Sequence, residues 1–228
     1  MVQQLSTTDI IYPDSDGQPM ADNTLQFQWI VTIKDNLEQM YADNNDVFVA
    51  GDLLWYPVEG NNKIRQAPDA MVAFGRPKGY RGSYMQWKEN NIPPQVVFEV
   101  LSPGNRRGEM ARKLLFYERY GVEEYYEYDP YNVELMGCLR QSDSLEPIES
   151  IQGWVSPRLN IRFVVTPETL QIYRPDGSRF VTFVEQGQQL DTTSQQLDAT
   201  SQQLDASQAN NARLAAKLRE LGVDPSSV

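Results

Sequence analysis

One short segment, Gln95-Val96-Val97-Phe98-Glu99-Val100-Leu101, constrains this chain more than any other. It holds too many β-branched and aromatic residues to expose either face, so it reads as the central strand of a sheet. A glutamate nevertheless sits inside it. Asp69 breaks a second apolar run in the same way, in Ala67-Pro68-Asp69-Ala70-Met71-Val72-Ala73-Phe74. A carboxylate where the pattern asks for a hydrophobe is costly to desolvate unless a cation or several donors meet it. Two such carboxylates in one domain ask for a shared partner, and a divalent metal ion is the obvious candidate.

Strand alternation puts Asp69, Met71 and Ala73 on one face, and Val97, Glu99 and Leu101 on one face of the other strand. If the strands are neighbours facing the same way, both carboxylates reach one ion. Oxygen ligands of this kind suit Mg²⁺ or Mn²⁺, with water and a substrate phosphate completing the shell. Lys113 follows on a predicted helix, three residues after Met110 and four before Tyr117, beside the apolar stripe rather than on the outer face. There it can orient or polarise an attacking water. The bland alternatives are a strand-end Asp69 in a Pro-Asp turn, a Glu99 bonded to Arg106 or Arg107, and a surface Lys113. Asp52, in Val49-Ala50-Gly51-Asp52-Leu53-Leu54-Trp55, is a secondary candidate.

Composition removes whole classes of chemistry. The 228 residues include no histidine and one cysteine, Cys138, which excludes imidazole catalysis, a disulfide framework and multi-thiolate zinc sites. The net charge of −11 argues against a protein that coats nucleic acid along its whole surface. Charge is unevenly spread, however. Between Lys63 and Arg119, eleven basic residues face five acidic ones, a net of +6 that leaves −17 elsewhere. This basic stretch surrounds the two odd carboxylates. Arg76, Lys78, Arg81 and Lys88 interleave with Tyr80, Tyr84 and Trp87, a pattern that can grip phosphates and stack on bases or can be an ordinary solvated loop. No secretory signal and no membrane-length apolar run is seen, so a soluble cytoplasmic protein is expected.

The predicted elements give an α/β fold: a helix over 23–41, strands over 47–56, 64–74 and 95–101, a helix over 109–120 and a strand over 124–129. A short helix is expected within 84–88. Further strands follow at 133–140, 159–165 and 170–173, with a Pro175-Asp176-Gly177 turn leading to a last one at 180–184. Residues 1–22 read as an extended arm, 23–184 as the α/β domain and 185–228 as a tail. In the tail Gln-Gln-Leu-Asp recurs every seven residues, at 188–191, 195–198 and 202–205. It is either a fraying polar helix or an oligomerising coiled coil.

Taken together, these motifs resemble the Uma2 family of the PD-(D/E)XK nuclease superfamily, a restriction-endonuclease-like group. The resemblance rests on Pro68-Asp69 before an apolar strand, Glu99-Val100-Leu101-Ser102-Pro103, Lys113-Leu114-Leu115-Phe116-Tyr117, Gly121-Val122-Glu123-Glu124-Tyr125 and Asp129-Pro130. It implies a mixed sheet in the order helix, three strands, helix, strand, and a Mg²⁺-dependent endonuclease acting on DNA. With the tail supporting self-association, a homo-oligomer, a dimer, is expected, and paired subunits would allow two strands to be cut. Asp69 and Glu99 would be metal ligands, the Val100 carbonyl a further ligand, and Lys113 the catalytic lysine. Arg76, Lys78, Arg81, Lys88, Arg106 and Arg107 are the expected phosphate contacts. Leu101 replaces the lysine that the wider superfamily carries two residues after the second acid, which moves that role to Lys113. The first helix offers no acid near its start. Two other readings stay open: a nuclease-fold binding or regulatory module without catalysis, and a scaffold working through the tail.

Overall fold

The computed structural model describes residues 10–105 and 107–221, so the expected phosphate contact at Arg106 and the first nine residues of the arm lie outside the described residues. The chain runs α1 (Thr24–Met40), β1 (Val47–Ala50), β2 (Trp55–Tyr56), β3 (Ala70–Phe74), β4 (Tyr84–Met85), a 3₁₀ turn at Gln86–Lys88, and β5 (Val96–Val100). Then come α2 (Arg107–Arg119), β6 (Glu124–Asp129), β7 (Glu134–Gln141), β8 (Ser144–Pro147), β9 (Arg162–Val165), β10 (Leu170–Tyr173) and α3 (Phe183–Glu220). Six strands build the main sheet in the order β1-β3-β5-β6-β7-β8. The β5–β6 pair is parallel and α2 is its crossover, while the other neighbours are antiparallel. The mixed α/β architecture expected from the sequence is present.

The burial of β5 follows from its composition: all five of its residues are buried. Val96, Phe98 and Val100 join the core under α1, which presents Ile30, Ile33 and Leu37 at helical spacing. Val97 points the other way, toward Trp55, Met71, Tyr117 and Tyr125 under α2. The start of α1 is fixed by Asn23, whose side-chain oxygen accepts from the Leu25 and Gln26 amides at 3.1 and 3.0 Å. The described part of the arm is tied down as well. Tyr12 packs against Tyr56 and Trp87, and Asp22 accepts from the Ser102 hydroxyl.

Four expected elements differ from those observed. The strand expected over 47–56 breaks at Gly51-Asp52, because Asp52 adopts a left-handed φ of 48° and the chain leaves the sheet there. A Cβ on Gly51 would lie 3.3 Å from both the Asp69 carbonyl oxygen and Lys34 Cγ, so this close approach suits glycine. Trp55–Tyr56 then pairs in parallel with Tyr84–Met85 as a separate small sheet, which also claims the first two residues of the helix expected over 84–88. The strand expected over 64–74 survives only as Ala70–Phe74. Upstream, Pro68 has no amide to donate and Gln66 forms only an isolated bridge to Trp55.

No strand forms at 180–184. There Thr182 caps α3, its hydroxyl accepting from the Glu185 amide while Glu185 accepts from the Thr182 amide, and this reciprocal pair overrides the β-propensity of Val181 to Val184. β8 was not expected from the sequence at all. It pairs with β7 across a tight turn in which Ser142 takes a φ of 55°.

The chain divides into two compact units, Met1–Phe180 and Val181–Val228. The second is essentially α3, one continuous helix of 38 residues. No helix among the described residues is long and apolar enough to cross a membrane.

Candidate active site

The two odd carboxylates meet. In the β3–β5 register Ala70 faces Phe98 and Met71 faces Val97, so extending it by one pair sets Asp69 opposite Glu99. Both side chains share the face of Met71 and Val97, the face covered by α2. Asp69 is 8% exposed and Glu99 2%. The strands are also linked directly, since the Val100 amide donates to Asp69 Oδ2 at 2.6 Å.

From α2, Lys113 and Tyr117 are four residues apart and therefore lie on one face of the helix. Lys113 Nζ donates to Glu99 Oε2 at 2.7 Å, and the Tyr117 hydroxyl donates to Glu99 Oε1. Tyr117 is in turn stacked among Trp55, Phe116 and Tyr125, so its hydroxyl has little freedom to turn away. The structure thus brings Asp69, Glu99 and Lys113 together.

The electrostatics show a surplus of negative charge. Burial pushes the Asp69 carboxyl well above the usual carboxylate range, and neighbouring Glu99 pushes it further, with only partial relief from Lys113 and the Val100 amide. Asp52 is raised by burial and by Asp16, and it lies within electrostatic reach of Lys113 and Glu99. Its amide donates to the Pro68 carbonyl at 3.0 Å, which holds the Gly51-Asp52 bend next to the strand end carrying Asp69. Burial alone would lower Lys113, but Glu99 and then Asp69 outweigh it and raise the ammonium above its ordinary value. Lys113 thus stands as a cationic donor to Glu99.

Three residues of the site were not picked out from the sequence. Tyr117 was visible as the last member of Lys-Leu-x-x-Tyr, yet nothing in spacing alone gave its hydroxyl a target. Glu127 faces Glu99 across the parallel β5–β6 register and accepts from the Tyr125 hydroxyl at 2.6 Å. Burial raises its carboxyl too, and Glu99 adds to the effect. Its signal is the acid in Glu124-Tyr125-Tyr126-Glu127-Tyr128-Asp129, legible only once β6 is known to lie beside β5. Gln26, buried in the first turn of α1, donates from Nε2 to the Val100 carbonyl at 2.8 Å. A glutamine four residues before Ile30 on a buried stripe was its only trace.

A divalent cation fits the donor set in kind and in charge. Asp69 and Glu99 supply hard carboxylate oxygens, and the Val100 carbonyl keeps a second lone pair beside the Gln26 hydrogen bond. No group of three or more His, Cys, Asp or Glu side chains is arranged to hold a metal among the described residues. Water and substrate oxygens would have to complete the shell, as is usual for Mg²⁺. Two clefts, of about 560 and 250 Å³, share Leu101, Glu127 and Met136, and through Glu127 they border the strand next to Glu99.

The basic residues divide into two groups. Arg76 and Arg81 both bind Glu89, through Nε at 2.9 and 2.6 Å, with side chains only 11% and 12% exposed. Burial opposes ionisation of Glu89, but the two guanidiniums win and hold its carboxyl below the ordinary range. Arg81 also donates to the Pro77 and Gly79 carbonyls and stacks over Phe48 at 4.0 Å. These two arginines, expected as phosphate contacts, brace the 76–89 loop. Lys88 and Arg107 are exposed, Lys78 is half-buried, and Arg107 lines the smaller cleft.

Comparison with known proteins gives a match to the family model "Uma2: Putative restriction endonuclease" over residues 16–163. Among solved structures, the chain is similar to "a putative nuclease belonging to DUF820" from Anabaena variabilis, with 12% identity and a TM-score of 0.45, over 59% of this chain and 72% of that one. No curated protein sequence matches.

Proposed function

Since the chain belongs to the Uma2 family of restriction-endonuclease-like proteins, we propose that it is a Mg²⁺-dependent endonuclease that hydrolyses DNA phosphodiesters using Asp69, Glu99 and Lys113. One observation carries this reading: two buried carboxylates on adjacent strands share a face, and a protonated lysine from α2 reaches the second of them. Asp69 and Glu99 would hold the cation, with the Val100 carbonyl as the third protein ligand. The metal, when bound, supplies a lowered pKa for water and neutralisation of charge on the phosphate.

The protein's own groups do the rest. Tyr117 pins Glu99 so that its second oxygen faces Lys113 and the strand end. Lys113, held as an ammonium, can donate to the attacking water or to a phosphate oxygen as negative charge builds there. Lys88 and Arg107, exposed and not engaged by Glu89, are the better-placed phosphate contacts for the flanking backbone.

The direct test is supercoiled plasmid incubated with purified protein and Mg²⁺ or Mn²⁺, beside Asp69→Ala and Lys113→Ala. Cleavage is expected in the parent and not in the variants. Cleavage that both substitutions leave intact would remove these residues from the reaction. One observation favours a second reading, a DNA-binding module with a weakened metal site: the Gln26 amide occupies one lone pair of the Val100 carbonyl. Calorimetry separates the two, because a module of that kind would give no Mn²⁺ heat while retaining DNA affinity.

A further inference from the structure

Among its described residues α3 buries no side chain, yet it carries a regular seam. Leu190, Leu197, Leu204 and Leu218 fall on one heptad position, a, with Phe183 before them and Asn211 in the one polar slot. On position d, Gln186, Thr193, Thr200 and Ser207 precede Leu214 and Leu221. Phe183, Leu190, Leu197, Leu204, Leu214 and Leu221 are 52–82% exposed. A straight α-helix drifts about 20° per heptad from a seven-residue repeat, so a strict period is useful only to a helix wound around another. A polar helix of this kind is marginal alone.

The pattern identifies the occupant as a second copy of the chain. In a parallel, in-register pair the leucines at 190, 197, 204, 214, 218 and 221 each meet their own equivalent, giving six apolar layers. In the antiparallel register that pairs Leu190 with Leu221 and Leu197 with Leu214, Leu204 faces Ser207 and Leu218 faces Thr193, so apolar and polar groups are mismatched. The parallel pair also sets Asn211 against its own equivalent at an a layer, the arrangement that specifies register and a two-stranded state. The flanking g positions in the repeats are Gln189, Gln196 and Gln203, while Asp191, Asp198 and Asp205 lie at b, away from the seam, so like charges do not meet. We propose that α3 forms a parallel, in-register, two-stranded coiled coil with α3 of a second copy, the two Asn211 side chains facing each other.

This interface stands whether or not the chain cleaves DNA. If it does, pairing gives one particle two cleavage sites, as cutting both strands requires. The test uses the full chain and reads mass rather than cleavage. Sedimentation equilibrium should give a dimer for the parent and a monomer for the double variant Leu197→Asp/Leu204→Asp, with circular dichroism confirming that the sheet domain stays folded. In a Cys138→Ala background, Thr193→Cys on the seam should form an intermolecular disulfide on oxidation, whereas Asp191→Cys on the outer face should not. A monomeric parent, a trimer or larger assembly, a dimer that survives the double substitution, or a dimer in which Cys at 193 fails to cross-link would each overturn the proposal.

Discussion

Replacing Glu99 by glutamine is expected to lower DNA cleavage by about three orders of magnitude, some 4 kcal/mol in the barrier, comparable to loss of a major electrostatic contact in a preorganised site. The amide keeps the shape and can still accept from Tyr117, so the fold should persist. What is lost is the charge that would hold a cation and that now fixes Lys113. Without it, the ammonium keeps the weaker influence of Asp69 and Glu109, and its raised proton affinity should fall. Two readouts therefore move together: turnover at saturating Mg²⁺ drops, and the pH dependence of any residual activity shifts to lower pH. A Glu99→Gln protein cleaving at parental rates would remove Glu99 from the chemistry.

The second large effect concerns stability and its dependence on pH and metal. Asp69 holds its proton in the folded protein at pH values where an unfolded carboxyl, with an ordinary value of 3.8, has already lost it. The folded state therefore binds more protons than the unfolded state above that value, and its stability falls as pH rises through the raised folded value. Asp52, Glu124 and Glu127 are raised in the same direction and add to this slope. The melting temperature of metal-free protein should fall as pH rises above the ordinary carboxylate range, and Mg²⁺ or Mn²⁺ should restore it, most strongly at the alkaline end. At a hundredfold excess over its dissociation constant, a metal bound only by the folded state stabilises by about 2.7 kcal/mol. Asp69→Asn should shallow the slope and abolish the metal effect. Thermal melts that ignore metal at pH 8 would speak against a cation at Asp69 and Glu99.

How much of this was legible in the sequence depends on whether a residue's meaning is local. Glu99 announced itself because its neighbours Val97, Phe98 and Val100 demand burial, and the same argument found Asp69. Periodicity found α1 and α2, and with them the inward placement of Lys113. Glu127 was hidden because its role depends on β6 lying parallel to β5 in a register that pairs it with Glu99, a relation set by the crossover through α2. Gln26 was hidden for the same reason, since its partner is a main-chain carbonyl 74 positions away. Arg76 and Arg81 carry a partner that the sequence did not reveal. A basic, aromatic loop reads as a surface until Glu89 is seen pairing with both guanidiniums, which leaves the cluster a net charge of one. The failed strand at 180–184 is a local conflict, in which a capping pair outweighed β-branched residues.

The most direct measurement is anomalous diffraction from crystals soaked in Mn²⁺. A peak about 2.1 Å from carboxylate oxygens of both Asp69 and Glu99, with Lys113 Nζ nearby but not coordinating, is the predicted result. No peak between these two side chains, with Glu99 still held by Lys113 and Tyr117, would contradict the account at its centre.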